Sequence, residues 1–344
     1  MANVDAGGAG SGGGPAGTGS GGQGGGSTGN GGTGSATGSG GAGTGSVTGT
    51  GNMAGTGSGG DAGGAGGVVV PANPPAAVLV PTARLARLSH PQWANSVRDL
   101  LKLTDIADIE SNVGGDAVVG FDNDVESLFV AEALRADLAD ASVKLAQRVA
   151  GDPVALAKLL PANAPTDLAG KARAFITTLG QRAYRRPLAD AEVTQTTALF
   201  NQGPTLYPGV DAFAAGANIV LQLFLQSPHF LYRTELSTAV VSGRIPLNDY
   251  EVASKLSFAL SNSMPDETLL AAAAAGQLKT PANVLAQATR LLSSEAGAMG
   301  RDHLHFQVLR LGAYDGIARD RTVFPDFTPT APSSMRQEVL TYLR

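Results

Sequence analysis

From Thr82 onward, large apolar side chains recur every three or four residues, and the recurrence is interrupted by Pro, Gly, Asp, Asn or Ser. That spacing puts them on one face of a helix, so the chain is read as a succession of amphipathic helices rather than as strands. Ser89-His90-Pro91-Gln92 opens the first, with a serine cap, a proline in the first turn and glutamine at capping-box spacing. Trp93, Val97, Leu100 and Leu101 then share a face. Leu128, Leu134, Leu138, Leu145 and Val149 mark a long helix ending near Ala150, and Asp152-Pro153 starts a short piece that stops at Pro161. Asp167 caps a helix carrying Ala172, Phe175, Ile176, Leu179 and Ala183. Asp190 and Glu192 sit at the start of the next, where the positive helix end favours carboxylates. Asp211 opens the most buried one, Phe213 to Leu225.

The same pattern continues to the end. Asn248 and Glu251 have capping-box spacing, Gly276 follows an alanine-rich run as a left-handed stop, and Thr280-Pro281 begins a further helix. Another is expected from about Gly297 to Leu311. A last one, capped by Ser334, keeps its period up to Arg344 without a stop signal, which reads as a pattern that continues in a longer, here truncated, chain. The expected class is all-α: an irregular multi-helix bundle, open to division into two packed helical subdomains.

Residues 1–67 are of a different kind, almost entirely Gly, Ser, Thr, Ala and Asn. Such a segment buries too little apolar surface to offset its ordering entropy and is expected to be a disordered, low-complexity tether. Val68-Val69-Val70-Pro71 and the proline-rich stretch after it extend the tether as a stiffer stalk to residue 81. This leaves about 260 foldable residues, enough for one large or two ordinary domains. The segments are set at 82–165, 166–237 and 238–344. A net charge of −5 with dispersed basic residues argues against a nucleic-acid footprint. No apolar stretch reaches the ~18 residues of a membrane span. The absence of cysteine removes disulfides, thiolate metal sites and haem attachment through a C-x-x-C-H motif. A long Gly/Ser tether suits a lipoprotein-like, exported protein whose signal or lipid anchor lies outside this sequence.

The candidate chemistry is sparse. LQSPHFLYRTEL (225–236) ends an apolar run at Ser227-Pro228 and then places His229, Tyr232 and Arg233 within a few residues. Pro228 has no amide proton and disfavours helix at Ser227, so the stretch reads as a helix stop followed by a polar latch. Tyr232 and Arg233 would supply a hydroxyl and a fork for open carbonyls, and a protonated His229 would sit favourably past a helix C-terminus. With Arg185 and Arg186, these residues form the candidate polar cluster. Arg182, Arg185 and Arg186 read as cations at a helix C-terminus that pair with nearby acids, with anion binding as the alternative. No metal is assigned. The weak candidates are Asp122, Asp124 and Glu126, which alternate like the start of a calcium loop but lack its glycine and distal glutamate. His303 and His305 are the others, but on a helix they point about 200° apart and cannot share an ion.

Four segments together resemble a known family: RLSHPQWANSVRDLL (87–101), AFITTLGQRAYRRPLADAEV (174–193), LQSPHFLYRTEL and LNDYEVASKLSFALSNSMPDETLLAAAAAGQL (247–278). In order and spacing they are similar to exported multi-domain proteins of planctomycetes and myxobacteria. Those are built from consecutive domains of unknown function, here the ones numbered fifteen-eighty-seven, fifteen-ninety-five and fifteen-ninety-two. The chain departs from the family where an arginine is usual and Lys255 stands, where a tryptophan is usual near Leu260-Ser261, and where Gln-Trp is replaced by Gln307-Val308. The resemblance implies a periplasmic or surface location and a c-type cytochrome or envelope protein as partner. It implies no established reaction, and haem only through a partner or a further module, with no cofactor in this chain. The leading expectation is a tethered all-helical module with a binding or assembly role at the cell envelope. The alternative is part of a hydrolytic or cytochrome-linked redox enzyme completed by further domains or a partner.

Overall fold

The computed structural model describes residues 84–117 and 120–343. The expected tether over residues 1–81 lies outside the described residues. A short strand, β1 (Leu85–Arg87), precedes α1 (His90–Leu101), α2 (Ala107–Glu110), the long α3 (Glu132–Ala150) and α4 (Pro153–Ala157). Then follow α5 (Leu168–Tyr184), α6 (Asp190–Phe200), α7 (Gly203–Leu206), α8 (Ala212–Gln226) and α9 (Pro228–Leu231), closed by β2 (Tyr232–Thr234). The rest is α10 (Asp249–Ser261), α11 (Glu267–Ala274), α12 (Pro281–Leu292), α13 (Glu295–Val308), a 3-10 turn at Leu311–Gly316, and α14 (Ala331–Leu343). The class is all-α, as its periodicity implies.

Side-chain caps explain where most of these helices begin. The carboxylates of Asp152, Asp167 and Asp266 each accept a hydrogen bond from a first-turn amide at 2.8 Å. Asp211 accepts from Phe213 and Ala214, and Asn248 forms a reciprocal box with Glu251. Each such cap stabilises its helix by about 1 kcal/mol. Three starts differ from the sequence expectation. The long α3 begins at Glu132, after Leu128, which is buried in the loop before it. Helix α13 begins at Glu295 because Ser294 already caps the amide of Gly297. Helix α14 begins at Ala331, which leaves Ser334 inside the first turn rather than at the cap.

The main core gathers around α8, whose Phe213, Ala217, Val220, Leu221 and Phe224 are buried. Helix α3 packs along it with Leu138, Leu145 and Val149, and α5 contributes Phe175, Ile176 and Leu179. Full burial of each large side chain is worth about 1.5–3 kcal/mol, so this contact dominates the fold. One core therefore joins helices from both 82–165 and 166–237. A second, smaller core lies under α10, α11 and α12, where Ala253, Leu269, Ala273, Leu278 and Leu291 meet. Helix α10 serves both, since its Phe258 belongs to the main core.

The strands form a two-stranded antiparallel ribbon that the helical reading did not anticipate, with Leu85 opposite Thr234 and Arg87 opposite Tyr232. Three residues are too few to display an alternating pattern. The ribbon brings the first described residues against the end of the 225–236 stretch.

Candidate functional site

Helix α8 stops where Pro228 requires it. Ser227 adopts an extended backbone, and its hydroxyl accepts from the His229 amide to start the single turn of α9. Phe230 points into the core and is fully buried. The turn leaves open carbonyls, and a guanidinium from the left-handed residue that ends α5 meets them. Arg185, only 4 % exposed, donates to the carbonyls of His229 at 2.7 Å, Tyr232 at 2.6 Å, Phe230 at 3.2 Å and Ala183 at 3.3 Å. Burial, and then the neighbouring charge of Arg233, press its pKa down to about 9, still protonated at neutral pH. The latch expected from LQSPHFLYRTEL thus exists with its direction reversed. The fork comes from Arg185, and the stretch supplies main-chain acceptors.

The other residues of the candidate cluster are close by but do different things. Arg186 grips Glu192 with two hydrogen bonds, at 2.8 and 2.9 Å. His229 lies 4.9 Å from the Tyr184 ring and 4.0 Å from the Glu192 carboxylate. Burial and the Arg186 charge lower its pKa, so the protonated His229 envisaged at the end of α8 is disfavoured. Tyr232 stands in the ribbon ladder opposite Arg87. Arg233 lies over the Phe258 ring at 5.6 Å, and Arg185 is the same distance from that ring.

Beside this corner, two hollows flank the face of α10 that carries Glu251 and Ser254. The smaller, about 200 Å³, is walled by Tyr184, Arg185, Arg186 and Tyr250. The larger, about 480 Å³, runs between β2, α10 and the loop from Asn123 to Glu126, with Arg233, Glu235 and Lys255 on its walls. Glu251 is consumed structurally. Burial opposes its charge, but the Ser237 hydroxyl and the amides of Asn248, Ser237 and Leu236 outweigh that and lower its pKa. Glu235 accepts from Lys255 at 2.7 Å. A further hollow of about 550 Å³ lies between α1, α5 and the α10–α11 turn. There Lys102 and Arg182 pair with Glu267 and Asp266 pairs with Arg290, while Asp99 accepts from the Ser263 hydroxyl.

The weak metal candidates separate into two places. Asp122 and His303, 181 residues apart in the chain, are joined by a 2.8 Å contact between Oδ2 and Nε2. The Asp122 amide also donates to Gln307 Oε1 at 2.7 Å. Asp124 and Glu126 instead face the larger hollow, and His305 sits on α13 with a buried Nδ1 that has no hydrogen-bond partner among the described residues. Among the described residues, no three histidines or carboxylates converge as metal ligands.

Sequence reasoning named Arg233, Asp124 and Glu126 separately but missed that they share the larger hollow with Glu235 and Lys255. Glu235 and Lys255 come from a loop and a helix whose meeting no local pattern announces. It also missed the buried ion pair of Arg87 with Asp116, whose carboxylate accepts from the His90 amide as well.

Three family models match the chain in sequence order. They are described as Protein of unknown function (DUF1587) over residues 86–151, (DUF1595) over 171–235 and (DUF1592) over 247–344. No curated protein and no solved structure matches the chain.

Proposed function

We propose that this chain, which belongs to the multi-domain family built from these three consecutive domains, is a helical module with a binding or assembly role in an exported protein at the cell envelope. The observation that carries this reading is the exposed apolar surface of the C-terminal helices. Helix α12 buries only Leu291, α13 only Gly297 and α14 only Pro332. Leu285 and Leu292 repeat at seven-residue spacing on α12, and Leu304 and Val308 at four-residue spacing on α13. All four are exposed, the α13 pair by about half. Apolar residues at these spacings share a helix face, and exposed apolar patches mark association surfaces in soluble proteins. Among the described residues, no helix is long and apolar enough to cross a membrane.

The reading includes a periplasmic or surface location and an envelope protein or c-type cytochrome as the docked partner. Proximity labelling of the full chain in its native host, followed by fractionation, tests it. The expected result is envelope fractionation with labelled envelope neighbours. Leu304→Glu combined with Val308→Glu should lose those neighbours while circular dichroism is unchanged. Recovery of the chain in the cytosol, or labelling unaffected by the double variant, would overturn the reading.

A further inference from the structure

The larger hollow holds one guanidinium that finds no hydrogen-bond acceptor among the described residues. Arg233 Nε is buried without an acceptor, and no described residue accepts a hydrogen bond from any nitrogen of that guanidinium. Glu235 attracts it through space, but burial outweighs that attraction. The nearest carboxylate chemistry is already engaged, Glu235 by Lys255 and Glu251 by four donors of the 236–248 loop. Below it lies the apolar Phe258 ring, with the Arg185 cation near the same ring. A desolvated, unpaired cation is unfavourable, and a guanidinium on the wall of an open hollow is relieved by an anion with two coplanar oxygens.

We propose that the cleft between β2 and α10 binds a small ligand carrying a carboxylate beside hydrogen-bond donors, with Arg233 gripping the carboxylate. The opposite wall decides between anions. Arg233 and Lys255 face Asp124, Glu126, Glu235 and Glu251, two cations against four carboxylates. A doubly charged phosphate would meet net repulsion there. A single carboxylate can pair with Arg233 while hydroxyl or ammonium groups on the same molecule donate to Asp124 and Glu126. The volume of about 480 Å³ suits something the size of a disaccharide or short peptide. Acidic sugars and acidic peptides share this chemistry.

Isothermal titration calorimetry on the full chain separates the sources with three probes: digalacturonate, the dipeptide glycyl-glutamate and inorganic phosphate. One of the first two should saturate at submillimolar concentration, and which one identifies the source. Phosphate should bind more weakly than either. Arg233→Gln should weaken the successful probe by roughly tenfold or more, the loss of a charge-assisted pair. Asp124→Asn with Glu126→Gln, which leaves the cation in place, should weaken that probe and strengthen phosphate, so the proposal stays decidable if the arginine variant fails to fold. Failure of both carboxylate probes to saturate, tighter binding of phosphate, or unchanged affinity in a folded Arg233→Gln protein would overturn it.

Discussion

Glu192 shows how much one side chain can be asked to do. Its Oε2 accepts from the Ala189 amide at 2.7 Å, which caps α6, while both oxygens hold Arg186. Arg186 chiefly, with the Ala189 amide helping against a burial penalty, holds the carboxyl down at about 2, from an ordinary value of 4.5. A carboxyl whose pKa is depressed by folding stabilises the native state at pH values above its unfolded pKa. That contribution disappears as pH falls from about 4.5 through about 2. Glu192→Gln should therefore be less stable at pH 7 by roughly 0.5–1 kcal/mol, since solvent screens the pair. Its urea midpoint should also change less than that of the parent protein between pH 5 and pH 2. Parallel acid limbs for the two proteins would refute the assignment. The sequence showed Arg186 only as a cation suited to some nearby acid; the fold selects Glu192, six residues on across a proline turn. Three of the four acceptors of Arg185 were not legible at all, because they are carbonyls 44 to 47 residues away, and nothing in the residue letters marks an open carbonyl.

Among elements, helix starts were the most readable feature, because a cap is a local contest between one side chain and a few amides. Helix crossings were not readable, as α10 and α13 show. They cross where a Cβ added to Gly300 would stand 2.2 Å from the Leu260 carbonyl oxygen and 3.0 Å from Ser261 Cα. Those are backbone atoms, so the neighbour cannot rotate away. In the sequence Gly300 is only a glycine within a helical pattern, a weak point by propensity. In the fold it permits the crossing. Gly300→Ala should thus forgo the ~1 kcal/mol that alanine normally gains in a helix and lose about 1–3 kcal/mol to overpacking. Gly312→Ala, whose nearest neighbour would be the Phe306 ring at 3.4 Å, serves as the tolerant control. Thermal unfolding of both variants checks this, and a Gly300→Ala protein as stable as the control would mean that the crossing is looser than described.

Across the whole molecule, the C-terminal helices are joined to the first helices by a handful of long-range polar contacts. Asp122 reaches His303 and Gln307, Asn95 donates to the Asn262 carbonyl at 3.0 Å, and Ser263 binds Asp99. Helix α13 buries little of its own surface, so its docking leans on the Asp122 joint more than α8 leans on any single contact. His303→Ala should raise amide hydrogen exchange across α13 by roughly tenfold and leave α8 unaffected, as expected for local opening. Equal acceleration in both helices, or none in α13, would contradict that dependence. Asp122 and His303 had each been singled out by type, as weak metal candidates, yet only the fold shows them as partners. Contacts spanning 181 residues leave no periodic trace in a single sequence.

The Arg185 joint has a consequence for how this chain tolerates change. Three of its four acceptors belong to His229, Phe230 and Tyr232, and all are main-chain oxygens. Every amino acid carries that oxygen, so one side of the joint is blind to spelling. At the two acceptor positions outside the core, 229 and 232, mutational drift can rewrite the side chain without erasing the bond. At position 185 the guanidinium has no such substitute, and the whole vulnerability of the joint is concentrated in one codon.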